Sequence, residues 1–201
     1  MLGEQYLLAR GLPLDVAQVN GIEVDLHPDR VKIEERLGVN CVPLWLFAKE
    51  VLWFPQFNKE RERISWIGRG LPTVGGKPKF VAPTKSSGLP TGIPYIPLRV
   101  WRDIGKPIKP LIVTEDPIKS LLLVEAGVLA IGLNGVFGAQ ETAPNGKLVL
   151  RKELVELGVR GRKVLLCFDA DGSSNPEVRL AEIRLWFLLR AAGTGAVRAP
   201  Q

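Results

Sequence analysis

The fold of this chain is decided by the stretch Val164-Leu165-Leu166-Cys167-Phe168-Asp169-Ala170-Asp171-Gly172, an apolar run of strand length that ends in two carboxylates. An earlier apolar run, Leu111-Ile112-Val113-Thr114, ends in the same way at Glu115. A carboxylate at the tip of a buried strand is costly unless it has a partner. Because a helical pattern follows each tip, the two runs indicate a sheet edge at which acidic side chains meet on a divalent cation.

The second half of the chain alternates strand patterns with helix patterns. In chain order we predict strand 111–114, helix 117–126, strand 128–133, helix 148–157, strand 163–168, helix 176–192 and strand 196–199. Such alternation is typical of βαβ crossovers, so we predict an α/β domain with a parallel sheet flanked by helices. Ligands of these sheets bind at the carboxyl ends of the strands, which is where Glu115, Asp169 and Asp171 fall.

The first half predicts a smaller α+β subdomain. Its predicted elements are helices 4–10, 14–20 and 28–37 and strands 42–47, 51–55 and 63–69. Glycine and proline recur between residues 70 and 97, which indicates a long irregular surface segment. We therefore predict two domains, residues 1–107 and residues 108–201.

Composition argues against several classes of protein. With 201 residues, 46% of them apolar, the chain is long enough and apolar enough to fold around a core. No apolar run has the roughly 18 residues of a membrane span, and the first residues lack the pattern of a secretory signal. Cys41 and Cys167 stand alone and His27 is the only histidine, so a disulfide framework or a zinc site is not expected. We expect a cytoplasmic protein without a membrane partner.

Positive charge is concentrated in the middle of the chain. Residues 59–109 contain eleven lysines and arginines against three acids, whereas the whole chain has a net charge of +6. A basic segment beside an acidic cluster suits a protein that binds nucleotides or nucleic acid, although a solvated basic face has the same composition. Most of the five tryptophans are expected in the core. Trp66 and Trp101 have basic neighbours, which makes them the better candidates for stacking on bases.

Glu115, Asp169 and Asp171 are the predicted catalytic and metal-binding residues. Hard carboxylate oxygens at a turning strand end suit Mg²⁺ or Mn²⁺, which also take oxygens from water and phosphate. Glu115 is either a third ligand or a general base. The alternative is that these acids cap the N-termini of the following helices. Lys119, in the helix after Glu115, is a candidate for binding phosphate, with a solvated lysine as the alternative.

Several ordered motifs resemble the Toprim domain shared by bacterial primases and topoisomerases. They are closest to a Toprim-like branch found in phage, plasmid and integrative-element replication proteins, and they cover roughly residues 109–201. The matching stretches are Val113-Thr114-Glu115-Asp116-Pro117-Ile118-Lys119-Ser120, Ala126-Gly127-Val128, Ile131-Gly132-Leu133-Asn134-Gly135-Val136, Phe168-Asp169-Ala170-Asp171 and Asn175-Pro176-Glu177-Val178-Arg179. In that superfamily glycine usually follows the first acid, and Asp116 in its place either adds a ligand or disturbs the turn.

The first half resembles the catalytic core of bacterial primases. Tyr6-Leu7-Leu8-Ala9-Arg10-Gly11-Leu12 is similar to the helix that opens that core, and Val51-Leu52-Trp53-Phe54-Pro55 and Ile67-Gly68-Arg69 are similar to its strands. Lys77-Pro78-Lys79-Phe80-Val81-Ala82-Pro83 resembles its basic lysine loop, which in the family lies along template or nucleotide. The resemblance implies that Lys77, Lys79 and Arg69 bind phosphate.

Together the two resemblances imply a DNA primase-like replication protein of a mobile element. Its expected activity is nucleotidyl transfer on single-stranded DNA from nucleoside triphosphates, dependent on Mg²⁺ or Mn²⁺, with a helicase or another replication protein as a partner. Bacterial primases carry a further acidic motif after the strand that follows the long helix, and this sequence ends at Gln201 before that point. Two alternatives stay open: a Toprim-type metal-dependent nuclease that uses the same acids for hydrolysis, and a non-catalytic nucleic-acid-binding or assembly subunit, which the missing motif favours.

Overall fold

The computed structural model describes residues 1–38, 43–73, 75, 79–105, 109–169 and 175–198. The chain forms two compact units, the first from Met1–Asn58 and Glu62–Gly92 and the second from Lys59–Arg61 and Ile93–Gln201. The predicted domain boundary after residue 107 stays a prediction. Over the ranges that the structure describes, no helix combines the length and the apolar character needed to cross a membrane.

Within its described residues, the first unit combines three α-helices with a three-stranded antiparallel sheet. In chain order its elements are α1 (Leu2–Ala9), α2 (Leu14–Val19), β1 (Glu23–Asp25), α3 (Arg30–Leu37), β2 (Glu50–Phe57) and β3 (Arg63–Leu71). The strands pair in the order β1-β2-β3. The predicted α+β character of this part of the chain is confirmed, and β1 is a short strand that the sequence pattern did not reveal.

The core of the first unit lies where α3 meets the β2–β3 hairpin. Ile33 and Leu37 of α3 pack with Trp53 and Trp66 of the hairpin in one buried cluster. Trp53 lies directly opposite Gly68 across the hairpin, and a Cβ at Gly68 would lie 2.7 Å from the Trp53 ring. Glycine at this position therefore lets the indole pack over β3.

The second unit is built on a four-stranded parallel sheet. In chain order its elements are α4 (Leu98–Asp103), β4 (Leu111–Thr114), α5 (Pro117–Glu125), β5 (Leu129–Gly132), β6 (Gln140–Thr142), β7 (Leu148–Leu150), α6 (Lys152–Glu156), β8 (Lys163–Leu166), α7 (Pro176–Ala191) and β9 (Gly195–Arg198). The sheet order is β5-β4-β8-β9, with every neighbouring pair parallel. Helices α4 and α5 pack against β5, and α7 packs against β9. The predicted α/β fold with a parallel sheet flanked by helices is confirmed.

The two central strands of this sheet, β4 and β8, end side by side. Their near-continuous apolar sequences are typical of parallel strands that are covered on both faces. Leu111 lies opposite Val164 and Val113 lies opposite Leu166, and all four side chains are buried. This register brings the residues that follow Thr114 and Leu166 to the same edge of the sheet.

A β-hairpin replaces the first part of the helix predicted at residues 148–157, and that part of the prediction is wrong. Strands β6 and β7 pair antiparallel, and helix α6 begins only at Lys152. The turn between the strands contains Asn145-Gly146, with Gly146 at φ 77°. Asn-Gly is a strong hairpin signal because both residues tolerate positive φ, and the helical interpretation overlooked it.

The aromatic run predicted as a strand at residues 42–47 forms a 3₁₀ helix, Leu44–Ala48, so this prediction is also wrong. The backbone N–H of Leu46 donates to the carbonyl of Pro43 at 2.9 Å, which closes the turn. The Leu46 side chain is fully buried in the core of the first unit. An apolar run this short is buried in either conformation, so periodicity alone does not distinguish between them.

Candidate functional site

The turn between β4 and α5 carries the first predicted acid. Pro117 occupies the first turn of α5, and Asp116 is the N-cap, with its Oδ1 accepting the backbone N–H of Lys119 at 2.9 Å. The extended backbone of Asp116, with φ −133° and ψ 158°, is normal for this position. The turn is therefore regular, with Asp116 as its helix cap. Glu115 lies half-buried one residue earlier.

Two contacts hold this turn against β5. The Thr114 hydroxyl donates to the carbonyl oxygens of Ile131 and Asp116, at 3.1 and 3.2 Å respectively. Gly132 lies opposite Thr114 in the sheet, and a Cβ at Gly132 would lie 2.4 Å from the Asp116 carbonyl oxygen. Because no real Cβ tolerates such a contact with backbone, glycine at 132 is what allows the turn to lie this close to β5.

The strand end after β8 brings the second acid to Glu115. The backbone N–H of Cys167 donates to Val113 O at 2.9 Å, which continues the parallel pairing beyond β8. The backbone N–H of Asp169 then donates to Glu115 Oε1 at 2.9 Å. Burial, with a smaller contribution from Glu182, raises the pKa of the Cys167 thiol, which disfavours a thiolate ligand beside the acids. The structure thus brings Glu115 and Asp169 together at one edge of the sheet.

Lys119 is the cation of this cluster. Its ammonium forms an ion pair with Asp169 Oδ1, and the two side chains are 27% and 49% exposed. A lysine in the first turn of a helix lies near the positive end of the helix dipole, which is unfavourable for it. The carboxylate of Asp169 offsets that repulsion. Lys119 is therefore held by an acid of the site.

The donor chemistry of this edge fits a divalent cation. Glu115 and Asp169 supply hard carboxylate oxygens at adjacent strand ends. Asp171, the third predicted ligand, lies outside the described residues. Within the part of the chain that is described, no three acidic, histidine or cysteine side chains are grouped so as to hold a metal ion. Two carboxylates remain, a number that Mg²⁺ sites commonly use together with water and substrate phosphate.

Arg69 on β3, a predicted phosphate-binding residue, lies between two aromatic rings in the first unit. Its guanidinium carbon is 4.6 Å from the centre of the Tyr6 ring and 4.8 Å from the centre of the Phe80 ring. The residue is 9% exposed, and its Nε has no hydrogen-bond partner among the residues that the structure describes. Stacking on aromatic rings orients the guanidinium plane, and a buried N–H without an acceptor is costly. The structure thus places Arg69 in a nearly buried, aromatic environment within the first unit.

The remaining basic and aromatic candidates are placed differently. Lys79 is exposed, and Lys77 lies outside the described residues. Trp66 and Trp101 are only 7% and 8% exposed. The guanidinium carbon of Arg36 also lies 4.4 Å from the centre of the Trp66 ring. Neither indole offers an open face to a base, so both candidate tryptophans are buried, which is the placement expected for most of the tryptophans.

Sequence reasoning missed the residues that fix the turn between β4 and α5, namely Thr114, Gly132 and Tyr95. Tyr95 and Gly132 exchange two backbone hydrogen bonds, of 2.6 and 2.9 Å, which hold the end of β5 in place. Burial raises the pKa of Tyr95, so its phenol stays neutral. The only signal in the sequence was a glycine at the end of an apolar run, and ordinary strand ends share that signal.

Comparison with known proteins gives one match by sequence. Residues 100–199 match a family model described as "Domain of unknown function (DUF3854)". No curated protein matches the sequence of the chain. The matched region runs from α4 to β9 and includes Glu115, Lys119 and Asp169.

Solved primase structures match almost the whole chain. A DNA primase domain from Pseudomonas aeruginosa has a TM-score of 0.66 at 16% identity, over 100% of this chain and 64% of that one. The Aquifex aeolicus primase (zinc-binding and RNA polymerase domains) has a TM-score of 0.65 at 14% identity, and the match covers 98% of this chain and 49% of that one. A DnaG primase catalytic domain bound to single-stranded DNA has a TM-score of 0.61 at 18% identity, and the match covers 92% of this chain and 58% of that one. The chain thus spans about half to two thirds of the length of these proteins. It has a primase-like fold.

Proposed function

We propose that this chain is a primase-like replication protein that transfers nucleotides on a single-stranded DNA template in a metal-dependent reaction. The observation that carries the proposal is the hydrogen bond of 2.9 Å from Asp169 N–H to Glu115 Oε1. It joins two acids at the carboxyl ends of adjacent parallel strands, where ligands of such sheets bind. The primase-like fold supports assigning the pair to nucleotidyl transfer.

In this proposal Glu115, Asp169 and Asp171 are the catalytic acids and hold Mg²⁺ or Mn²⁺. When bound, the ion neutralises phosphate charge and polarises the phosphoryl oxygen that it contacts. Glu115 also orients the Asp169 strand end by accepting its backbone N–H. Lys119, next to Asp169, supplies a positive charge to the phosphates of the nucleotide.

In the first unit, the proposed phosphate-binding residues are Arg69, Lys77 and Lys79. Arg69 is held in one orientation by the rings of Tyr6 and Phe80, so it loses little side-chain freedom when it binds an anion. The planar guanidinium of Arg69 is the proposed donor group for that anion. Lys79 is exposed and acts as a mobile point charge.

The proposed substrates are single-stranded DNA and nucleoside triphosphates, and a helicase or another replication protein is a proposed partner. A similar DnaG catalytic domain has been solved bound to single-stranded DNA, and another similar structure is the primase fragment of the bacteriophage T7 primase-helicase protein. The ordered Toprim-like motifs support a cytoplasmic replication protein of a mobile element as the setting.

The test is incorporation of labelled nucleotides on single-stranded DNA with Mg²⁺ or Mn²⁺, using the wild type and Asp169→Asn. We expect incorporation by the wild type and a loss of at least about a hundredfold in the variant, because asparagine keeps the shape of the side chain and removes its charge. Asp29→Asn is the matched control. Asp29 caps α3 by accepting Lys32 N–H at 2.8 Å, and asparagine keeps this capping function.

Two outcomes contradict the proposal. If Asp169→Asn incorporated nucleotides as well as the wild type, Asp169 would have no role in the reaction. If the folded wild type incorporated no nucleotides with Mg²⁺ and none with Mn²⁺, the chain would not have the proposed activity. Thermal melting of each protein, followed by circular dichroism, separates these outcomes from loss of fold.

A non-catalytic nucleic-acid-binding module is the second candidate function. The observation that favours it is the ion pair between Lys119 and Asp169, because it neutralises the acid that would hold the metal. This candidate predicts salt-sensitive binding of single-stranded DNA that is the same for the wild type and Asp169→Asn. Metal-dependent incorporation by the wild type excludes it.

A further inference from the structure

The large apolar side chains that the second unit exposes, within its described residues, lie on α7 or on elements beside it. They are Phe137, Leu148, Val155, Leu180 and Phe187. The guanidinium of Arg184 on α7 stands 6.0 Å from the centre of the Phe137 ring. Strand β7, which carries Leu148, packs against α7, and Val155 lines a groove with residues at the end of α7. Single exposed apolar residues are ordinary, but a group on one face marks a binding surface.

One face of α7 has an apolar stripe between arginines. At 3.6 residues per turn, Leu180, Phe187 and Ala191 fall on one line along the helix, and all three are exposed. The Phe187 ring meets the Trp186 ring edge to face, with 4.9 Å between the centroids, yet Phe187 is still 61% exposed. Leaving that much apolar surface in water is costly. The same period places Arg184 on one side of the stripe and Arg179 and Arg190 on the other, and these arginines are exposed too.

The stripe ends in a groove of about 350 Å³. Its lining consists of Val155, Val159, Arg160, Ala191, Ala192 and Gly193. Val159 is buried, whereas Val155 is 57% exposed at the groove. A groove of this size takes apolar side chains of a partner, with the aliphatic part of Arg160 close to Gly193. We call the stripe and the groove together the α7 surface.

The charge around the α7 surface selects its partner. Helix α7 exposes three arginines and only one glutamate, Glu177, because its second glutamate, Glu182, is buried. Arg160 adds a further positive charge at the groove. Two copies that paired through this surface would bring arginines against arginines, which is repulsive. An acidic partner complements it instead.

We propose that the α7 surface binds an acidic amphipathic helix of another protein. Apolar side chains at helical spacing would cover Phe187 and enter the groove, and flanking acids would pair with Arg184 and Arg190. The surface includes none of the acids at the strand ends, so the proposal holds whether or not the chain transfers nucleotides.

The probe is a fluorescein-labelled synthetic peptide with leucines along one helical face and glutamates beside them. We expect the full chain to bind it, as measured by fluorescence anisotropy, and Phe187→Ala to weaken binding at least about tenfold, because a central aromatic anchor dominates such interfaces. Arg184→Glu combined with Arg190→Glu should weaken binding by a similar factor. Leu8→Ala is the matched control, since Leu8 of the first unit is also exposed and lies outside the α7 surface.

Two further peptides complete the test. One has the same composition with the leucines scattered around the helix, and the other has lysines in place of the glutamates; both should bind at least about tenfold more weakly than the probe. No binding of the probe, equal binding of either control peptide, or no effect of Phe187→Ala would overturn the proposal. A dimer in sedimentation that Phe187→Ala dissociates would overturn it as well, in favour of a second copy. Circular dichroism confirms that each variant is folded.

Discussion

The two acidic strand ends of the parallel sheet differ in what holds them. After β4, the turn with Glu115 is fixed by the cap at Asp116, by the Thr114 hydroxyl and by its close approach to Gly132. After β8, the contacts described for Asp169 are its N–H bond to Glu115 and its ion pair with Lys119. Among the described residues, the turn that carries Glu115 is therefore held by several contacts, whereas Asp169 is held by Glu115, by Lys119 and by the strand pairing that ends at Cys167.

This difference has a physical consequence for ligand binding. A preorganised acid costs little conformational entropy when it binds a ligand. Asp169 must instead exchange its ion pair with Lys119 for any other cation. Divalent cation affinity at this edge therefore depends on the rigidity of the Glu115 turn and on the strength of the Lys119 ion pair, and each can be changed separately.

The largest expected effect on stability comes from adding a side chain where β5 closely approaches the turn between β4 and α5. Gly132→Ala would place a Cβ 2.4 Å from the Asp116 carbonyl oxygen, so the backbone must shift. We expect the free energy of unfolding to fall by about 2 kcal/mol, as for other overpacked sites, and Mn²⁺ binding to weaken with it. Urea denaturation and calorimetric titration with Mn²⁺ measure the two effects.

Gly195→Ala is the control for this substitution. Gly195 begins β9 in the same sheet, and the nearest atoms to its added Cβ are 3.8 Å away. Its effect on the free energy of unfolding should stay within about 0.5 kcal/mol. Equal stability of the two variants would show that the turn is not held by its approach to Gly132.

The next effect is removal of the helix cap in the same turn. Asp116→Ala leaves the Lys119 N–H of α5 without its side-chain acceptor, and we expect a loss of about 1 kcal/mol in the free energy of unfolding. Asp116→Asn keeps an acceptor and should be close to the wild type in urea denaturation. A large loss in the asparagine variant would mean that the charge of Asp116, and not its capping function, stabilises the turn.

The smallest effect on stability is expected from Lys119→Gln. This substitution tests ligand binding at Asp169, the acid after β8. Because the ion pair is partly exposed, stability should change by less than about 1 kcal/mol. Mn²⁺ should bind roughly fivefold more tightly, since a competing charge worth about 1 kcal/mol is removed from Asp169. Nucleoside triphosphate should bind more weakly. Calorimetric titrations with Mn²⁺ and with nucleoside triphosphate measure these two opposite changes in affinity.

Lys152→Gln serves as the control, because Lys152 is an exposed lysine of α6 in the same unit. It should leave both affinities unchanged. If Lys119→Gln also left Mn²⁺ affinity unchanged, Lys119 would not compete with the metal. The two strand ends would then differ only in the backbone contacts that hold them.

Much of the fold and part of the candidate site were predictable because they depend on local patterns. The order of strands and helices after residue 109 follows from apolar runs and their capping residues. The meeting of Glu115 and Asp169 follows from a general property of parallel strands, whose carboxyl ends share one edge. The hairpin at β6 and β7 was also present in the sequence, as Asn145-Gly146, and was overlooked in favour of an apolar pattern.

The partners of individual side chains were not predictable in this way. Lys119 and Asp169 are far apart in sequence, so no local pattern indicates that they form an ion pair. Trp66 has basic neighbours in the sequence, yet the fold buries it beneath Arg36. Arg69 has no sequence signal for its position between Tyr6 and Phe80, because the three residues come from three separate segments.

By itself, the sequence determined that a parallel sheet would form and that acids would stand at the ends of its strands, because periodicity and capping act over a few residues. Tertiary structure alone decided that Gly132 supports the Glu115 turn, that Lys119 neutralises Asp169 and that Phe187 stays exposed beside arginines. Those outcomes depend on which surfaces meet when distant segments pack, and free energies of a few kcal/mol between such arrangements are not encoded in any one segment.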